Sequence, residues 1–148
     1  MNKEKNLSDK ENNLKSESSL KKWAFKDSLN PVIIGDKNIA LRLQSFFVTS
    51  PLLVHFDHNA MFDEYSEKNL LIIIGPLSDV QIEKIKRIAK SMIHKFKVVY
   101  LEMLFKDIDN HEDYVKSVEE MIELEIDKFL IENFISLDNV ASILREIA

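Results

Sequence analysis

One heptapeptide, "NLLIIIG" at residues 69–75, constrains this chain more than any other stretch. Successive side chains of a β-strand point to opposite faces. An uninterrupted apolar run therefore belongs to a strand covered on both sides, as in a parallel sheet with helices on each face. The run stops at Gly75-Pro76, and Ser78-x-x-Gln81 follows with the spacing of a helix capping box. Ile82, Ile85, Ile88, Ala89, Met92 and Ile93 then recur at helical spacing, while Lys84, Arg87, Lys90 and Ser91 fall elsewhere on the wheel. A buried strand leading straight into an amphipathic helix is half of a βαβ unit, so the expected fold class is α/β.

The rest of the chain extends that unit. Pro31 and a short β-branched run precede Asp36, which is placed to cap a helix bearing Ile39, Ala40, Leu43, Phe46 and Phe47 on one face. "PLLVHFDHN" (51–59) reads as a short strand ending in a polar loop, and "FKVVYLEML" (96–104) as a second buried strand. Val115, Val118, Met121 and Ile122 mark a further helix. In "LEIDKFLIEN" (124–133), Leu124, Ile126, Lys128 and Leu130 alternate as one face of a strand. Val140, Ile143, Leu144 and Ile147 close the chain as a helix. The expectation is a three-layer sandwich around a four-stranded, mainly parallel sheet. Residues 29–148 are expected to form a single α/β domain. The Lys/Glu/Asn/Ser-rich stretch 1–28 is expected to be a disordered polar tail, because its isolated leucines bury too little to offset ordering entropy. Trp23, the only tryptophan, is expected to pin that tail to the domain in preference to a partner.

Composition narrows the function classes. None of the 148 residues is cysteine, which excludes disulfides, thiol nucleophiles and thiolate-held metals. Only Gly35 and Gly75 are glycine, so neither GxGxxG nor GxxxxGK[ST] can be written in this chain. The net charge of −5 argues against nucleic acid as a partner. Charge is uneven: residues 102–148 carry thirteen acids against four Lys and Arg, and 1–28 carry seven Lys against five acids. The acidic third is read as a solvated surface able to meet a basic partner. No apolar run approaches membrane-spanning length and the first 20 residues hold no apolar segment, so a cytoplasmic location is expected.

Few residues offer chemistry. His55, Asp57 and His58 form the most ligand-like cluster, but imidazole and carboxylate there lack a third strong ligand. His94 and His111 read as surface residues. Asp107, Asp109, Asn110 and Asp113 form an acidic loop without the glycine and final glutamate of an EF-hand. Ser78 is committed to its cap, and neither GxSxG nor a usable SxxK occurs. Glu102 and Asn133 follow strands, and with Asp57 and His58 they are candidates by position for the crevice at the carboxyl ends of a parallel sheet. No catalytic, cofactor-binding or metal-binding residue is assigned on these grounds.

The order of segments resembles a known family over about residues 30–148. "NPVIIGDKNIALRLQSFF", "SPLLVHF", "SEKNLLIIIGPLSDVQIEKIKRIAKSM", "KVVYLEM" and "VEEMIELEIDKFLIENFISLDNVASILREI" follow one another as in the PSST iron–sulfur subunit of respiratory complex I, the NADH:quinone oxidoreductase. The small subunits of related nickel–iron hydrogenases share that order. The resemblance implies a four-iron, four-sulfur cluster held by four cysteines. Here the corresponding regions read "DHNAM" (57–61), "LEMLF" (101–105) and "IENF" (131–134), with no cysteine. Such clusters are held by thiolates, so no cluster is expected and the family's redox role passes to no residue. The segment between Asp57 and Ser66 is also shorter than in the family. The implied role is a cluster-free, degenerate homologue that is not catalytic alone. It would be a structural or assembly component, partnered by other subunits of a complex I- or hydrogenase-like assembly, at the cytoplasmic face of a membrane through those partners. The alternative is a small ligand- or metal-binding protein or enzyme using the strand-end crevice.

Overall fold

A computed structural model describes residues 29–47, 51–54 and 65–147. The run at 70–75 lies in the middle of its sheet. In chain order the elements are β1 (Pro31–Ile34), α1 (Lys37–Gln44), β2 (Leu52–Val54), β3 (Leu70–Gly75), α2 (Asp79–Ser91), β4 (Lys97–Met103), α3 (His111–Ile122), β5 (Lys128–Glu132) and α4 (Leu137–Ile147). The strands stand in the order β2-β1-β3-β4-β5, and every pairing is parallel.

The sheet has five strands where four are expected from sequence. The additional one is β1, the short run after the loop that holds Asn30. Its four residues are too few for a period, yet all are buried, and the strand pairs with β2 on one side and β3 on the other. The second difference is in β5, which starts at Lys128. Leu124 and Ile126 lie before it and pack with the α2 and α3 side of the core, whereas Leu130 packs on the opposite side. The alternation read across 124–130 thus joins a loop to a strand.

Strand period divides the core into two. Ile33, Leu70, Ile72, Ile74, Val99 and Leu101 face the layer made by α1 and α4. Val32, Ile34, Leu71, Ile73, Val98 and Tyr100 face α2 and α3. Each helix contributes the stripe its spacing predicts: Ile39, Ala40 and Leu43 on α1, Ile85 and Ile88 on α2, Val118 and Ile122 on α3, Val140 and Leu144 on α4. Met121 and Ile93, read as apolar-face residues, are exposed instead. Removing one of the central isoleucines, such as Ile72, to alanine would cost about 2–5 kcal/mol.

Residues 1–28, with Trp23, and the candidates His55, Asp57 and His58 lie outside the described residues. Among the described residues no helix is long and apolar enough to cross a membrane.

Candidate functional site

The chain leaves β1 toward one edge of the sheet and returns to start β3 on the other side of β1. In such doubly wound sheets the two central loops diverge at the carboxyl ends of these strands and leave a crevice between them. Here that crevice has a volume of about 600 Å³.

Two turns build its walls. After β1, Gly35 adopts φ +134°, and a Cβ there would collide with the Ile74 carbonyl of the neighbouring strand. Glycine is therefore required by conformation and by contact. Asp36 then caps α1, its carboxylate accepting from the Ile39 N–H at 3.0 Å. After β3, Gly75 and Pro76 turn the chain through a cis peptide bond into the α2 cap. The Ser78 N–H donates to Gln81 Oε1 at 3.0 Å, and the Gln81 N–H donates to Ser78 Oγ at 3.3 Å. The capping box read from sequence is present in full. The floor and far side are apolar: Ile39, Ile74, Pro76, Met103 and Phe105.

Polar groups in this space are few. Asp36 is engaged by its cap. Lys37 stands at the start of α1, exposed and without an ion-pair partner among the described residues. Gln81 is only 6 % exposed. Its Oε1 is used by the cap, and the residue lines the crevice with an Nε2 that is open to solvent. Sequence reading identifies Gln81 as a capping residue and misses its place in the crevice lining. It also misses Lys37, Met103 and Phe105. The available signal is their position just beyond β1 and at the end of β4.

The opposite face of the same strand ends is closed. Glu102, 1 % exposed, points into the α2 and α3 side, as does Tyr100 two residues earlier. The Tyr100 hydroxyl donates to Glu102 Oε1. The Tyr114 hydroxyl, from α3, lies 2.6 and 2.8 Å from the two carboxylate oxygens. Gly75 is the Cα partner of Glu102, and a Cβ on it would run into the Tyr100 hydroxyl. Burial, reinforced by the hydrogen bond to Glu102 and by its charge, holds the Tyr100 phenol far above its ordinary pKa. The same causes in the same order push Tyr114 up to about 12.

Of the sequence candidates, the two among the described residues, Glu102 and Asn133, are not brought together at the crevice. Glu102 belongs to β4 and is turned away from the crevice, Asn133 lies in an exposed bend after β5, and neither lines the cavity. His94 and His111 are exposed, and Asn110 caps α3 by accepting from the Glu112 and Asp113 N–H groups. Among the described residues no three His, Cys, Asp or Glu side chains gather as a metal site. The donor set at the strand ends does not fit an iron–sulfur cluster: it offers no thiolate, and its one buried carboxylate among the described residues, Glu102, is bound by two phenols.

At the end of β4 and β5 the surface changes character. The Leu104 N–H donates to the Glu132 carbonyl at 2.9 Å and ties the two exit loops together. Phe105 and Phe134 follow on these loops, 81 % and 67 % exposed. The Arg42 guanidinium from α1 lies 5.5 Å from the centre of the Phe134 ring.

Compared with models of known protein families, with curated proteins and with solved structures, the chain finds no match in any of the three.

Proposed function

We propose that this chain is a cysteine-free, degenerate relative of the PSST subunit of complex I and of the hydrogenase small subunits. It acts as a structural or assembly component rather than as a redox carrier. The reading is supported by the order of segments and by a doubly wound parallel sheet, and one observation carries it. Phe105 and Phe134 stand exposed on tied loops at adjacent strand ends, beside the acidic stretch 107–113. Large exposed aromatics grouped with charged residues at their rim are the anatomy of a protein-binding surface. The partner in this reading is another member of a complex I- or hydrogenase-type assembly, on the cytoplasmic side.

The test is cross-linking and affinity recovery of the full chain from its native cells at native abundance. Identified subunits of such an assembly are expected, with cross-links from Lys106 beside Phe105. Replacing both phenylalanines by serine should abolish the recovery and leave the melting temperature unchanged. Recovery of the chain without any such subunit would contradict the proposal.

A second reading, a small-molecule site, is favoured by the crevice. Its volume and mainly apolar lining with a few convergent polar groups match the anatomy of ligand pockets.

A further inference from the structure

We infer that the outer edge of β5 is a self-association surface, on which two copies of this chain pair their β5 strands antiparallel about Leu130.

β5 ends the sheet, paired with β4 on one side and with no strand on the other among the described residues. Edge strands that remain unpaired are commonly blunted by shortness, proline or a bulge. The opposite edge strand, β2, follows Pro51 and has three residues. β5 has none of these devices. Its five residues include no proline, and its register with β4 runs unbroken from the pair of Val99 with Lys128 to the pair of Met103 with Glu132. The direction of its backbone groups follows from its last residue. The Glu132 carbonyl accepts from the Leu104 N–H, on the β4 side. In a strand the N–H and C=O of one residue point to the same edge, and alternate residues point to opposite edges. Lys128, Leu130 and Glu132 therefore serve β4, while Phe129 and Ile131 present their N–H and C=O groups outward. The open edge begins at Lys128, because Asp127, in the bend before the strand, gives its N–H to the Val98 carbonyl.

Two-fold pairing lays an edge on itself, so it requires a strand that complements its own sequence read backwards. β5 does so about Leu130. Phe129 meets Ile131 of the second copy, and these are the residues with outward N–H and C=O, so they form the hydrogen-bonded pairs. Leu130 meets Leu130 on the axis. Lys128 meets Glu132, opposite charges at the non-hydrogen-bonded positions, where facing side chains come closest. Centring on Phe129 or Ile131 instead would set Lys128 or Glu132 against Leu130, so charge selects the register. Both charged side chains lie on the α4 face and are held there. Lys128 Nζ is 2.6 Å from Glu146 Oε2, and the Asn139 amide donates to the two Glu132 oxygens at 3.1 and 2.9 Å. An ammonium has three donors and a carboxylate about four acceptor sites, which leaves capacity on each for the second copy. Five residues a side is small against the roughly 20–30 of a standard interface, so the dimer is reversible and concentration-dependent.

The experiment is sedimentation velocity on the full chain, from micromolar to millimolar concentration. The parent chain is expected to pass from monomer to dimer. Lys128→Glu and Glu132→Lys each place like charges at both pairs and should weaken dimerisation about ten-fold. Mixing these two variants restores opposite charges at both pairs, so a heterodimer of parental affinity is expected. The double exchange should likewise form a parental homodimer. A lost contact with Glu146 or Asn139 acts within one chain and cannot be repaired by mixing, so recovery in the mixture separates pairing from folding. Hydrogen exchange at the Phe129 and Ile131 amides should slow as concentration rises, while the Leu130 amide, turned to β4, is slow throughout. A chain that is monomeric at every concentration would overturn the inference. So would a dimer that either single exchange leaves unchanged, or that mixing fails to restore.

Discussion

Glu102 and Met103 are neighbours at the end of β4, yet they meet opposite environments. Glu102 turns toward α2 and α3 and is enclosed by Tyr100 and Tyr114. Met103 turns toward α1 and α4 and forms part of an open crevice. The charged residue is in the closed space and the apolar one lines the open space, the reverse of simple hydropathy. Closure therefore depends on what the adjoining helix supplies. Helix α3 provides a phenol that satisfies the carboxylate. The start of α1 provides Lys37 and a capped Asp36 and leaves the space open. One face of the strand ends is closed by a hydrogen-bonded cluster, and the other is left open.

The contrast is broken most severely at Gly75, which separates the two spaces. Gly75→Ala drives a Cβ into the Tyr100 hydroxyl and toward Glu102 Oε1. A loss of about 3 kcal/mol is expected in urea unfolding. Glu102→Leu is next. It leaves the Tyr100 and Tyr114 hydroxyls without their shared acceptor and should cost about 2 kcal/mol by the same assay.

Tyr114→Phe removes one donor and should cost about 1 kcal/mol near neutral pH. It should also change the alkaline limb of stability. Both phenols are held above the ordinary tyrosine pKa of about 10 in the folded chain, so the folded state keeps these protons longer than the unfolded state. Their contribution is complete below about pH 10 and is lost as pH rises toward and through 12. A urea series across that window should show a shallower decline for Tyr114→Phe than for the parent chain. The smallest effect is expected on the open side. Phe105→Ser, at a residue 81 % exposed, should change stability by less than about 0.5 kcal/mol.

Much of the fold is legible in local patterns. The doubly apolar run at 70–75 marks a strand covered on both faces, and Ser78 with Gln81 marks the start of α2. Both readings rest on interactions within a few residues. Strand β1 escapes because four residues carry no period, and its burial comes from β2 and β3, which are distant in sequence. The site is less legible for a related reason. Nearness to a strand end makes Glu102 a crevice candidate. Counting in twos from Val98 and Tyr100 places it on the closed face, but only a known helix layer says which face is closed. Gln81 satisfies a local capping rule, and its place in the crevice lining shows only once the β1 turn is placed opposite. Asp57 and His58 lie outside the described residues.

Hydroxyl-radical footprinting, read by mass spectrometry, compares the two faces in one experiment. Met103 and Phe105 are expected to oxidise readily, while Tyr100 stays unlabelled. Labelling of Tyr100 at the rate of Phe105 would contradict the division of the strand ends into a closed and an open face.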